Sequence, residues 1–186
     1  MLKIAILTGS TRPGRNNEAV ARWVLEQAKK RTDAEFELVD IADYSLPLLD
    51  EPVPPSLHQY TKSYTKKWAA KVSEFDGFII VTPEYNHGTS AALKNALDYL
   101  YAEWNNKAVG FVGYGSMGAA RAIETLRLVA GELQMADVRT AVHLSLFSDF
   151  ENFSTFKPAP VQSDTLKTMI DQLVAWSSAL KSIRAF

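Results

Sequence analysis

The stretch Lys3 to Val20, KIAILTGSTRPGRNNEAV, narrows the choice of fold more than any other part of the chain. An apolar run from Ile4 to Leu7 halts at Thr8-Gly9-Ser10. A loop carrying Arg12 and Arg15 follows, and a helical pattern starts near Asn17. A buried strand that passes through a small polar loop into a helix is how open α/β sheets build anion sites. The unpaired N–H groups of the loop and first helical turn point outward, and the helix dipole places roughly half a positive charge there. Thr8, Ser10 and Thr11 can add hydroxyl donors, Arg12 and Arg15 charged donors, and Asn17 an amide. This set suits a phosphate dianion. In the plainer alternative, Gly9 and Gly14 only make a turn and the arginines are solvated. The loop's place after a first strand, where such sheets bind ligands, favours the site.

The kind of phosphate loop can be narrowed. Gly9 to Gly14 has the G-x-x-x-x-G spacing of a Walker loop, yet Arg15-Asn16 stand where Lys-Ser/Thr is required. Without that lysine and the magnesium-binding hydroxyl, nucleoside triphosphate hydrolysis is not expected. A G-x-G-x-x-G dinucleotide fingerprint is also missing. What remains is a terminal monophosphate, such as that of flavin mononucleotide (FMN).

The rest of the chain alternates between two hydrophobic periods. Ala19, Val20, Trp23, Val24 and Ala28 fall at helical spacing through Lys30, and Glu35 to Ile41 alternates as a second strand. Ala42 to Ser56, with prolines at 47, 52, 54 and 55, is expected to be a long loop. In it, Leu46 to Leu49 can cover a pocket or a sheet edge. A helix is expected over 57–74. Phe78 to Val81 is wholly apolar, as in a central strand buried on both faces. A helix from Thr89 to Ala102, a strand from Lys107 to Val112, a helix from Ala119 to Gln134 and a strand from Val138 to Leu144 follow. Residues 145–162 read as irregular, and a last helix runs from Asp164 to Arg184. Five strands alternating with five helices predict one flavodoxin-like domain over residues 1–186. Its doubly wound five-stranded parallel sheet has order 2-1-3-4-5, with helices on both faces.

Composition excludes several classes. The 186 residues contain no cysteine, so disulfides, thiolate catalysis and cysteine metal sites are ruled out. A formal net charge of -1 offers no field to attract nucleic acid or an anionic membrane. His58, His87 and His143 are scattered without ligand spacing, so no metal site is expected. No apolar stretch reaches the ~20 residues that span a bilayer, and no signal peptide is visible. A cytoplasmic location is the expectation.

In the expected sheet order, the loops after strands 1, 3 and 4 open onto one crevice: residues 8–17, 82–88 and 113–118. Their glycines and small polar residues suit a ligand with an anionic tail and a flat body. Pro83 and Tyr85 offer the flat body a firm surface. Backbone N–H groups around Asn86 and His87, expected at the start of the third helix, would face the pyrimidine edge of a flavin.

GSTRPGRNN, PEYNHGTSAALKNALDYL and GSMGAARA resemble the three signatures of the NADPH-dependent FMN reductase family, whose members include chromate, azo-dye and quinone reductases. With the LPLxDE-like Leu46 to Glu51, the similarity covers most of the first 130 residues. It implies non-covalent FMN, NADPH or NADH as co-substrate, and a homodimer or homotetramer acting on a small-molecule electron acceptor. By position it assigns Ser10, Arg12 and Asn17 to the phosphate. Pro83, Glu84, Tyr85 and Asn86 would border the ring on one side, with Tyr114 and Gly115 on another. Arg15, Asn16, His87 and Ser116 complete the candidate cofactor-binding set. No residue is assigned a catalytic role.

Three positions depart from the family pattern. Arg15 replaces a serine of the phosphate loop, and is expected either to bind phosphate or to point to solvent. Ser90-Ala91 replace Pro-Gly, which should leave the helix start intact. His87 stands where another aromatic residue is common. Two rival readings stand beside the reductase. One is a flavodoxin-type electron carrier, disfavoured by the balance of 20 basic and 21 acidic residues. The other is a serine hydrolase, suggested by Gly115-Ser116-Met117-Gly118 at a strand-to-helix turn. It lacks the first glycine of the nucleophile elbow.

Overall fold

The computed structural model describes residues 1–184. Its centre is a parallel sheet built from β1 (Leu2–Thr8), β2 (Ala34–Asp40), β3 (Gly77–Pro83) and β4 (Ala108–Gly115), ordered β2-β1-β3-β4. The fifth strand position beside β4 is filled by two short pieces, β5 (Ala136–Asp137) and β6 (Val142–Ser145). The order is therefore the expected 2-1-3-4-5. The helices are α1 (Asn17–Ala28), α2 (Ser63–Ser73), α3 (Ala91–Asp98), α4 (Ala120–Glu132) and α5 (Val161–Lys181).

The strand sequences decide which helices go where. In β1, Ala5 and Leu7 face α2, α3 and α4, packing with Trp68, Leu93, Leu97 and Ile123. Their neighbours Ile4 and Ile6 face α1 and α5, packing with Val20, Val24, Met169 and Leu173. All of β3 and nearly all of β4 are buried, as continuous apolar runs in a two-faced parallel sheet require. Two cores thus form, one on each face. None of the described helices is long and apolar enough to cross a membrane.

Several expectations are corrected. The single strand from Val138 to Leu144 is split, because side chains take the backbone groups that a ladder would use. Arg127 donates to the carbonyls of Val138 and Arg139, both at 3.0 Å, and the Thr140 N–H donates to Gln172 at 3.1 Å. The second helix starts at Ser63 rather than 57. Glu51 accepts the N–H groups of Thr61 and Lys62 at 2.9 and 3.0 Å, fixing the chain just before the helix begins. The third helix ends at Asp98, after which the chain turns to place Trp104 in the core. Residues 42–56, expected without regular structure, include the end of a short 3₁₀ turn, Ile41–Tyr44, and the start of a second, Pro55–Leu57. The stretch 145–162 is not wholly irregular either. It contains a small antiparallel hairpin, β7 (Phe150–Glu151) and β8 (Thr155–Phe156).

Candidate active site

The loops after β1, β3 and β4 meet at the carboxyl ends of the strands. Pro83, the last residue of β3, pairs in register with Tyr114 of β4. Gly9 donates its N–H to the Val81 carbonyl at 2.8 Å, and a Cβ at Gly9 would lie 2.5 Å from that oxygen. Only glycine lets the first loop approach the third strand so closely. The result is a cleft of about 310 Å³ lined by Arg12, Arg15, Asn16, Pro83, Glu84, Tyr85, Tyr114, Gly115, Ser116, Leu146 and Phe153. That is at the lower end of the roughly 300–1,000 Å³ of small-molecule sites. A hollow of about 410 Å³ lies elsewhere, beside the β2 edge near Lys3, Phe36 and Phe75, and contains none of these loops.

Nine of the thirteen candidate residues line the cleft; Ser10, Asn17, Asn86 and His87 do not. Ser10 is fully buried, its hydroxyl 3.2 Å from the Tyr85 hydroxyl and 3.3 Å from the Arg12 N–H that donates to it. Asn17 is also fully buried. One N–H of its amide donates to the Val81 carbonyl at 3.0 Å, and Oδ1 has no partner among the described residues. The bond to Val81 fastens α1 to β3. Arg15 does not point to solvent. Its guanidinium folds back on Asp40, on Glu18 at 2.9 Å and on the Ser10 carbonyl.

Arg12 is exposed, with its guanidinium carbon 5.9 Å from the centre of the Tyr85 ring. It sits by the N-terminus of α1, where Asn16 makes no side-chain capping hydrogen bond. The other two helices that start at this rim are closed. Ser90 caps α3 by accepting from Leu93 N at 3.0 Å, and its hydroxyl donates to the Gly9 carbonyl at 2.6 Å. The Ser90-Ala91 replacement therefore leaves the helix start intact, as expected. At α4, Ala119 has φ 56° and no cap of its own. Glu84 supplies one from the facing loop, accepting from Arg121 N at 3.1 Å and Ala122 N at 3.3 Å. Its carboxylate also pairs with the Arg121 guanidinium. Burial pushes the Glu84 carboxyl up, but these contacts outweigh it and hold it below the usual carboxylate range.

Asn86 and His87 lie in a two-residue turn before α3, not in the helix. Tyr85 and Gly88 exchange both backbone hydrogen bonds, at 2.8 and 3.1 Å, with φ 51° and 71° between them. The N–H groups of Asn86 and His87 have no partner among the described residues. The His87 ring accepts from Arg121 at 2.9 Å. Tyr114 forms the cleft floor, and burial pushes its hydroxyl up to about 12.

Sequence reasoning missed three contributors. Leu146 lines the cleft, Arg121 anchors Glu84 and His87, and Asp40 anchors Arg15. The last two act across the fold; Arg121 falls inside the GSMGAARA signature but its partners do not, and nothing in the local sequence marks Asp40. Phe153 stands at the rim and packs edge-on against Phe147 at 5.7 Å. The hydrolase reading gains no support, since His143 Nδ1 bonds the Gly118 carbonyl at 3.1 Å and makes no hydrogen bond to Ser116.

An open α1 terminus with Arg12 at one end, small residues at Gly115-Ser116 and flat walls from Pro83, Tyr85 and Tyr114 fit a phosphorylated planar group. The sequence profile described as NADPH-dependent FMN reductase matches residues 2–149. The chain belongs to that family. Within it, an NAD(P)H-dependent FMN reductase of Schizosaccharomyces pombe is 42% identical over 149 residues, spanning 79% of this chain and 74% of that protein. A 2-hydroxy-1,4-benzoquinone reductase of a Burkholderia species is 29% identical over 185 residues, spanning 94% and 96% of the two chains. Among solved structures, the flavoenzyme NAD(P)H:(acceptor) oxidoreductase FerB of Paracoccus denitrificans superposes with a TM-score of 0.75 at 20% identity, covering 96% of this chain and 98% of its own. That likeness is one of fold.

Proposed function

We propose that this family member holds FMN non-covalently in the three-loop cleft and uses NAD(P)H to reduce quinones, azo compounds, metal oxyanions or free flavin. The observation that carries the reading is the pairing of the one helix start at the rim that has no cap among the described residues, with Arg12 beside it, and the flat-walled cleft. Arg12, the first-turn N–H groups of α1 and the Asn16 side chain hold the phosphate. Pro83 and Tyr85 support one side of the ring, and Tyr114, Gly115 and Ser116 border another. The free N–H groups of Asn86 and His87 stabilise negative charge at the pyrimidine edge. The chemistry FMN supplies when bound is two-electron transfer between NAD(P)H and an acceptor.

The chain's own part is alignment. A rigid floor and a glycine-bordered mouth hold two flat partners near contact distance, which supplies much of the rate without a general acid or base. One open mouth admits the nicotinamide and the acceptor in turn. Parallel lines are therefore expected in double-reciprocal plots with a quinone as acceptor. The deciding experiment records the visible spectrum of the purified protein, then adds NAD(P)H without oxygen. A yellow chromophore that bleaches promptly is the expected result. A colourless protein that takes up no added FMN overturns the reading. The quinone class draws support from the Burkholderia relative. Assembly as a homodimer or homotetramer belongs to the same reading, with light scattering as its measurement.

A further inference from the structure

The loop after β1 carries two arginines, and they do different things. Arg12 is exposed at the cleft. The Arg15 side chain is only 9% exposed, and its guanidinium already makes four hydrogen bonds to three residues of the protein. One Nη donates to the Ser10 carbonyl, the other to Asp40 and to Glu18 at 2.9 Å, and Nε to Glu18 at 3.2 Å. Four of its five N–H groups are engaged, so no planar fork is left to grip a phosphate.

Asp40 explains the arrangement. It ends β2 and pairs in register with Thr8, one residue before the glycine of the phosphate loop. One carboxylate oxygen accepts from the Thr8 hydroxyl at 2.7 Å and from Ala42 N at 3.0 Å, which starts the 3₁₀ turn Ile41–Tyr44. The other meets Arg15. Its side chain is 17% exposed, so water screens it poorly. A carboxylate fixed behind an anion site weakens that site unless a cation offsets it.

Building on the FMN reading above, we propose that Arg15 is a charge-compensating residue rather than a phosphate ligand. It neutralises Asp40, keeps the loop receptive to a dianion, and so sets the preference for phosphorylated over unphosphorylated flavin. Arg12 then faces the phosphate with the field of Asp40 removed. The loop geometry and its charge are set by the same ion pair, since Arg15 also fixes the Ser10 carbonyl.

The test measures FMN and riboflavin affinity of flavin-stripped protein by fluorescence quenching, with thermal melts to confirm folding. Replacing Arg15→Ser should weaken FMN about tenfold or more while riboflavin changes by less than about threefold. Adding Asp40→Asn to that variant should restore FMN affinity to within about threefold of the parent, because asparagine keeps the Thr8 and Ala42 bonds and removes the charge. Asp40→Asn alone should tighten FMN, since it removes one of the two carboxylates that share Arg15 beside the loop. It decides the matter even if Arg15→Ser does not fold. A double variant as weak as Arg15→Ser, or an Asp40→Asn protein that binds FMN less well than the parent, overturns the proposal and makes Arg15 a direct ligand. Failure of the parent protein to bind FMN instead overturns the cofactor reading itself, and this inference with it.

Discussion

At the scale of single residues, the same amino-acid types near the cleft divide into those with free polar groups and those tied to the protein. What separates them is where their polar atoms find partners. Arg12 makes no ion pair among the described residues, and its charge is free for an incoming anion. Charge-assisted hydrogen bonds of this kind contribute about 1.5–3 kcal/mol. Arg12→Ala should therefore weaken FMN binding by roughly 10- to 100-fold and leave the far-ultraviolet circular dichroism unchanged. Titration calorimetry on the apoprotein measures it, and an unaltered affinity would refute the assignment. Asn17 is the opposite case. The sequence shows an amide at a helix start beside a phosphate-like loop, and that much was legible. Its direction was not, because the Val81 carbonyl that takes its nitrogen lies 64 residues away. Composition and spacing give the inventory of donors, while tertiary contacts decide which of them remain free.

At the scale of elements, strands and helices with strong periods were readable, and the pieces held by single side chains were not. The apolar run at 78–81 announces β3, and the spacing of Leu93, Ala96 and Leu97 announces α3. The region after β6 has neither period. Its phenylalanines recur every three residues, yet they alternate in fate. Phe150 is buried against Tyr114 and Phe156, while Phe147 and Phe153 stay exposed, Phe153 at the cleft rim. The organiser is Asp149, which is fully buried. It accepts from the N–H groups of Ser145 and Ala159 and the Ser148 hydroxyl, each at 2.9 Å. One carboxylate thus fastens both ends of the β7–β8 hairpin. Truncating it to alanine leaves buried backbone donors unpaired, a loss of about 2–4 kcal/mol. Because the hairpin lies outside the main sheet, the loss should appear locally. Asp149→Ala is expected to expose residues 146–158 to limited proteolysis while β1, β3 and β4 stay protected in hydrogen exchange. Cleavage no faster than in the parent protein would show that the hairpin does not depend on this residue.

For the whole molecule, the parallel sheet gives the fold two unlike poles. The carboxyl ends of the strands carry the cleft. The amino ends carry a charged lock, in which Asp76 accepts from Lys3 N at 3.0 Å, Lys181 at 2.9 Å and Arg184 at 2.6 Å. Beside it, just before β4, Lys107 is buried, with its ammonium on the Val72 carbonyl at 3.0 Å and 5.5 Å from the Phe78 ring centre. Burial, helped by the positive charge of Arg184, pushes the Lys107 ammonium down to about 8 from its ordinary 10.5. Between those values the unfolded chain holds a proton that the folded chain has released, so this residue makes stability rise with pH. Below pH about 8 the fold bears the whole cost of an ionised buried ammonium. Lys107→Met should remove that cost, on the order of 2–3 kcal/mol before the lost hydrogen bond is counted. Its advantage over the parent should shrink as pH rises from 7 to 10.5, because the parent's own lysine becomes neutral there. Urea denaturation at a series of pH values gives the difference directly, and tyrosines that ionise in the same range cancel between the two proteins. A difference that stays flat with pH would mean that Lys107 is not held neutral by the fold. FMN affinity, measured alongside, should not move, since the substitution lies at the pole opposite the cleft.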